Sequence, residues 1–154
     1  MHQLIYVSSA RADLSEDDLH DILSGARKKN RELGITGMLV CLDGYFVQVL
    51  EGEAERVREL YAKIKTDSRH ADAKVVTESE IAERAFPDWS MGFREASRDD
   101  LYMAGFLALI RRALAGRTGQ ADAVVLRTII KTFYRPSDGS ADCAETDSAI
   151  SLAS

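Results

Sequence analysis

Residues 36–52 read TGMLVCLDGYFVQVLEG, two strand-like runs on either side of Asp43-Gly44. A two-residue Asp-Gly linker between such runs signals a hairpin, because the favoured turn needs positive φ at both central positions. Thr36 to Leu42 and Tyr45 to Leu50 are therefore expected to be adjacent antiparallel strands. Side chains alternate along a strand, so Phe46, Gln48 and Leu50 share one face and Tyr45, Val47 and Val49 the other. Gln48 is an amide on an otherwise apolar face. A buried polar group without a partner costs about 1–3 kcal/mol. Gln48 is accordingly either a structural strut or part of a ligand site.

Outward from the hairpin, residues 3–8 (QLIYVS) form a first short strand. A helix follows. Ser15 and Asp18 make a capping-box-like pair, and Leu14 is placed to staple against Leu19. Leu19, Ile22, Leu23 and Ala26 fall at i, i+3, i+4 and i+7, one apolar stripe, and the helix should end between Asn30 and Gly34. A second helix is predicted from about Ala54 to Thr66, with Val57, Leu60, Tyr61 and Ile64 on one face. A fourth strand is expected over about Ala73 to Ser79 and a fifth over Ser90 to Arg94. The order βαββαββ predicts an α+β, ferredoxin-like sheet with both helices on one face.

After residue 96 the pattern turns helical. Ser97 and Asp100 cap a predicted helix from Arg98 to about Ala115, and Gly116 and Gly119 break it. A further helix runs from about Gln120 to Tyr134. Leu101, Phe106, Leu109 and Ile110 stripe the first, and Val125, Leu126, Ile129, Ile130 and Phe133 the second. This pair is expected to cover the other face of the sheet, or to serve as a dimer or partner surface. Pro136 to Ser154 is small and acidic without Lys or Arg, the composition of a disordered tail. The expected division is a domain over 1–96, a helical cap over 97–135 and a tail over 136–154.

The chain of 154 residues suits one domain with appendages. A net charge of −5 argues against nucleic acid as a partner, and the densest basic spot, Arg27-Lys28-Lys29 with Arg31, suits a helix C-terminus. Cys41 and Cys143 make no disulfide framework, so a reducing cytoplasm is the expected location. No apolar stretch approaches a membrane span. His2, His20 and His70 lack metal-ligand spacing, and phosphate-loop, nucleophile-elbow and zinc motifs are missing, so the chain is not expected to be an enzyme.

What stands out is a set: Tyr6 in strand 1, Asn30 at the end of helix 1, Gln48 in strand 3, and Trp89-Ser90-Met91 leading into strand 5. Taken singly, each is better explained as structure. Tyr6 reads as a core aromatic with a satisfied hydroxyl. Asn30 reads as a helix-end residue in the left-handed conformation. Met91 and Trp89 read as packing. Asp67, Arg69 and His70 read as a solvated turn. Only the joint arrangement reverses this judgement.

Together, Tyr6, Asn30, the FVQVLEG run at 46–52, FPDWSM at 86–91, GITG at 34–37 and the Asp67-x-Arg69-His70 run resemble the BLUF domain family, flavin-based blue-light sensors, over about residues 1–96. The resemblance implies a noncovalent flavin between the two helices, usually FAD, with FMN or riboflavin as alternatives. It implies that Asn30 and Gln48 hydrogen-bond the polar edge of the isoalloxazine, that Ile22 and Ile64 sandwich the ring, and that Asp67, Arg69 and His70 lie near its far end and the phosphate exit. Lys29 and Arg31 depart from relatives that carry a histidine or a second amide there.

The implied activity is a photoswitch built from Tyr6, Gln48, Trp89 and Met91. Tyr6 is the electron donor, Gln48 the proton relay, and Trp89 and Met91 the levers toward the C-terminal helices. Glutamine suits a relay because one amide both donates and accepts. With no output domain after residue 96, the signal is expected to pass to a separate downstream protein or through a homo-dimer or higher oligomer. The competing expectations are a light-insensitive regulatory module and a small ferredoxin-like hydrolase.

Overall fold

The computed structural model describes residues 1–88, 90–96 and 103–133. They form strand β1 (His2–Ala10), helix α1 (Glu16–Leu33), strands β2 (Thr36–Leu42) and β3 (Tyr45–Gly52), helix α2 (Ala54–Lys65), strands β4 (His70–Glu80) and β5 (Gly92–Glu95), and helices α3 (Met103–Leu114) and α4 (Gln120–Phe133). The five strands make one sheet in the order β4-β1-β3-β2-β5. All neighbours are antiparallel except β2 and β5, which run parallel.

The predicted turn is present. Asp43 and Gly44 have φ of 51° and 78°, the paired left-handed conformation whose twist matches the flanking strands. That turn fixes the β2–β3 register, with Leu42 opposite Tyr45 and Leu39 opposite Gln48. On the other side of β3, Tyr6 of β1 stands directly opposite Gln48. The α1 start also follows the sequence: Ser15 Oγ accepts from Asp18 N at 3.1 Å and the Asp18 carboxylate accepts from Ser15 N at 3.0 Å.

The sheet separates two cores. On one face Leu4, Tyr6, Leu39, Phe46 and Leu50 pack with Leu19 and Leu23 of α1 and Val57 and Leu60 of α2. On the other face Ile5, Val7, Val47 and Val49 pack with Phe106 and Ile110 of α3 and Leu126 and Ile130 of α4. The fold is thus the expected ferredoxin-like α+β sheet, two helices on one face and two C-terminal helices on the other.

Four local expectations are corrected. β4 begins at His70 rather than Ala73, because a register shift near Asp72, whose φ is 57°, lets His70 and Ala71 pair with Ala10 and Ser9. β5 begins at Gly92 rather than Ser90, because the carbonyls of Ser90 and Met91 are taken by α1 side chains instead of a ladder. Asn30 is helical, and Gly34 (φ 67°) takes the left-handed cap position in its place. Val125 is 47% exposed, because the buried line on α4 runs through Ala123, Leu126 and Ile130. Trp89, the Ser97–Asp100 cap and the 136–154 tail lie outside the described residues.

Candidate functional site

β1 and β3 are the middle of the sheet, so their alternation decides what faces α1 and α2. Tyr6 and Gln48, directly opposed and 3% and 5% exposed, both point to that side. The Tyr6 hydroxyl donates to Gln48 Oε1. Gln48 Nε2 in turn donates to the Met91 thioether sulfur at 3.2 Å. One amide therefore joins a phenol and a sulfur, and it keeps a second N–H for a ligand. Burial pushes the Tyr6 phenol far above the usual tyrosine range, with Tyr61 and Asp67 adding to the effect. Tyr6 is a neutral donor at any ordinary pH. Its ring lies 5.2 Å from that of Tyr61 and 6.3 Å from that of His70.

Between α1 and α2 lies a cleft of about 280 Å³. Tyr6, Ile22, Asn30, Gln48, Ile64, Asp67, Arg69 and His70, eight residues singled out in the sequence, all line it. Ile22 comes from α1 and Ile64 from α2, so aliphatic groups face each other across the opening. Asn30, 1% exposed, donates from Nδ2 to Ser90 O at 2.6 Å and so ties α1 to the approach to β5. Met91 is 2% exposed and meets Gln48 from outside the cleft wall.

At the far end, Arg69 grips Asp67 through Nε at 2.9 Å and Nη2 at 2.5 Å. This grip, with the Arg69 backbone N–H, holds the Asp67 carboxyl down at about 2. His70 Nε2 lies 2.5 Å from Ile64 O, which fixes Nε2 as the proton-bearing nitrogen. His70 Nδ1 is then a buried acceptor, and it has no partner among the described residues.

The donor set fits a flavin. A flat ring system needs two apolar walls, a carboxamide edge for its polar rim, and cations for its phosphates. Ile22 and Ile64, Asn30 and Gln48, and Lys29, Lys63 and Arg69, residues of those three kinds, line the cleft. At Gly25, also in the wall, an added Cβ would meet nothing within 4 Å, so the α1 wall is open for close approach. The unpartnered His70 Nδ1 suits a hydroxyl donor of the kind a ribityl chain carries.

Several residues of the site are not evident in the sequence. Glu51 is fully buried and accepts from Gln3 Nε2 at 2.6 Å and from the Ala85 and Phe86 N–H groups at 3.0 Å. Its alternation with Val47 and Val49 on a core-facing side was the available signal. Arg84 donates to Thr36 Oγ1, Glu51 O and Gly34 O, and Arg27 Nε donates to Met91 O at 3.1 Å. No pattern in the sequence marks these two arginines off from surface charges.

Fold and cleft together define an α+β domain with a cleft beside a hydrogen-bonded tyrosine–glutamine pair. The family profile "BLUF: Sensors of blue-light using FAD" matches residues 1–92. The chain belongs to the BLUF family of flavin-based blue-light sensors. It is 42% identical over 89 residues to "Photoactivated adenylate cyclase subunit beta" of Euglena longa, a match covering 57% of this chain and 10% of that protein. It is 31% identical over 106 residues to "Blue light- and temperature-regulated antirepressor BluF" of Escherichia coli K12, covering 67% of this chain and 26% of that one. Among solved structures, "BlsA photo-activated state" superposes with a TM-score of 0.71 at 29% identity, covering 88% of this chain and 98% of that one. The chain spans about a tenth of the length of the cyclase subunits it matches. Among the described residues no helix is long and apolar enough to cross a membrane.

Proposed function

We propose that this chain is a blue-light photoreceptor whose switch is the Tyr6–Gln48–Met91 hydrogen-bond chain, with FAD held by Ile22, Asn30, Gln48, Ile64, Asp67, Arg69 and His70. The observation that carries the proposal is the Gln48 amide, bonded at once to the Tyr6 hydroxyl and the Met91 sulfur on the floor of the cleft. A flavin bound there supplies absorption of blue light and a one-electron acceptor on excitation. Tyr6 gives up the electron, and its oxidised phenol releases a proton along the bond already directed at Gln48 Oε1. As the electron and proton return to Tyr6, the Gln48 amide is left rotated or tautomerised. Its bond to Met91 is then exchanged, and the amide would present a changed donor to a flavin held in the cleft.

The output follows from packing. One net hydrogen bond contributes about 0.5–1.5 kcal/mol. A full two-state reversal needs about 5.5 kcal/mol. The amide change therefore biases a population, through Met91 and β5, toward the α3–α4 cap. We further propose residues 1–96 as the sensor unit and the cap as its output face, toward a downstream protein or a second copy. The sensor itself performs no turnover. A cytoplasmic location accords with the free thiol of Cys41. The test is optical. Purified protein should be yellow and shift reversibly to the red under blue light. Gln48→Leu should keep the colour and lose the shift, and a normal shift in that variant would end the proposed relay.

A further inference from the structure

The connection from β4 to β5 carries Met91 to Gln48, and it is tied at both ends. At its start the buried Glu51 carboxylate takes the Ala85 and Phe86 N–H groups, and Arg84 is spent on three oxygens of residues 34, 36 and 51. At its end two α1 side chains, one turn apart, take consecutive carbonyls: Asn30 holds Ser90 O and Arg27 holds Met91 O. Between Met91 and Gln48 there is only an N–H···S contact, and a thioether is a weak acceptor. That contact is too weak to fix the Met91 side chain by itself. The charged donor on the backbone of the same residue is the stronger restraint.

We propose that Arg27 is a positioning residue of the photoswitch: by holding the Met91 carbonyl, its guanidinium keeps the Met91 thioether on the Gln48 amide. Arg27 does not line the cleft, whose α1 wall is built from Ile22, Gly25, Ala26, Lys29 and Asn30. It acts on the amide from behind, through Met91. Nothing in the light reaction demands an arginine at this position. The structure places its guanidinium on the backbone that carries the sulfur. The inference rests on the proposed switch only for its effect under light; the effect on Met91 in the dark stands on the hydrogen bonds alone.

The chain has four methionines, Met1, Met38, Met91 and Met103, so methyl-¹³C labelling of the flavin-loaded protein gives a readable spectrum. Met91→Leu assigns its peak. In the dark, Arg27→Ala should displace or split the Met91 methyl resonance while Met38, fully buried on the opposite face, stays in place. Arg27→Lys should restore the Met91 peak, because the contact is a single Nε donor and an ammonium reaches the same carbonyl. Recovery after a flash should change several-fold in Arg27→Ala and return toward the parent rate in Arg27→Lys. A Met91 peak unmoved by Arg27→Ala overturns the proposal. If Met38 also moves in Arg27→Ala, Arg27→Lys decides: a parental Met91 peak supports the proposal and a displaced one overturns it. A red shift that survives Gln48→Leu would sink the proposed relay and leave the dark-state assignment of Arg27 standing.

Discussion

Glu51 sits three residues after Gln48 on β3 and faces the opposite core. A carboxylate there is tolerated because both oxygens are in use: Oε1 accepts from Gln3 and Ala85, and Oε2 from Phe86. Replacing it by alanine strands three buried donors, each costing about 1–3 kcal/mol when unpaired. Glu51→Ala should therefore lose about 3 kcal/mol or more, seen as a fall in Tm on the order of 10 °C. Glu51→Gln should lose less, since one oxygen still accepts while its NH₂ meets an N–H. Thermal melts of the two variants check the order, and equal melting points would show that the carboxylate is not the anchor.

At the scale of elements, the β2–β3 pairing is the least forgiving part. A Cβ added at Gly37 would stand 1.9 Å from the carbonyl oxygen of Val49, a backbone atom that moves only if the strands separate. Gly37→Ala should destabilise by about 3 kcal/mol or more, at or beyond the upper end of ordinary overpacking. Chemical denaturation reads this directly, and a loss below about 1 kcal/mol would show that the sheet yields there. The α2–β4 connection is gentler. Asp67 is held at about 2 by Arg69, below its value in an unfolded chain, about 3.9. The folded-state pKa is depressed, so the pair's contribution is present above about pH 4 and disappears as pH falls toward 2. Its size is below about 1 kcal/mol because both groups are partly solvated. Asp67→Asn should melt slightly below the parent at pH 7, and the gap should close as pH drops below 4; a gap constant with pH would exclude the charge pair as its source.

For the whole molecule, the sheet is one layer shared by two cores, and β3 contributes to both. Leu126 on α4 is 1% exposed and packs in the cluster that contains Val47 and Val49. Leu126→Ala should cost about 2–5 kcal/mol through lost burial and the cavity left behind. The cleft lies on the other face, so the variant should still bind flavin and shift under blue light at temperatures where it is folded. Loss of flavin by a folded Leu126→Ala protein would mean that the two faces are coupled in the dark. Retained colour with altered recovery would place the coupling in the lit state.

Much of this was legible locally. The Asp43-Gly44 turn, the Ser15 cap and the periods of α1 and α2 are short-range preferences, and the chain carries them whatever lies opposite. Tyr6 stands opposite Gln48 because β1 and β3 are neighbours in the sheet, and the cleft residues are legible through the family resemblance of motifs. Legibility failed where the partner is distant and has no period. Asn30 reads as a helix end until Ser90, sixty residues on, claims its amide. The sequence reads β5 as beginning at Ser90, because nothing near Ser90 reveals that α1 takes the carbonyls of Ser90 and Met91. Val125 looks like core until α4 seats on the line of Ala123, Leu126 and Ile130, which leaves it outward. The elements and their order are written in the chain itself, because propensity, capping and alternation act between near neighbours, and the candidate switch residues are legible through the family resemblance. That Glu51, Arg84 and Arg27 tie the strand connection that carries Met91 emerges from the folded arrangement alone, because hydrogen bonds between remote side chains and backbone depend on where the folded chain brings them.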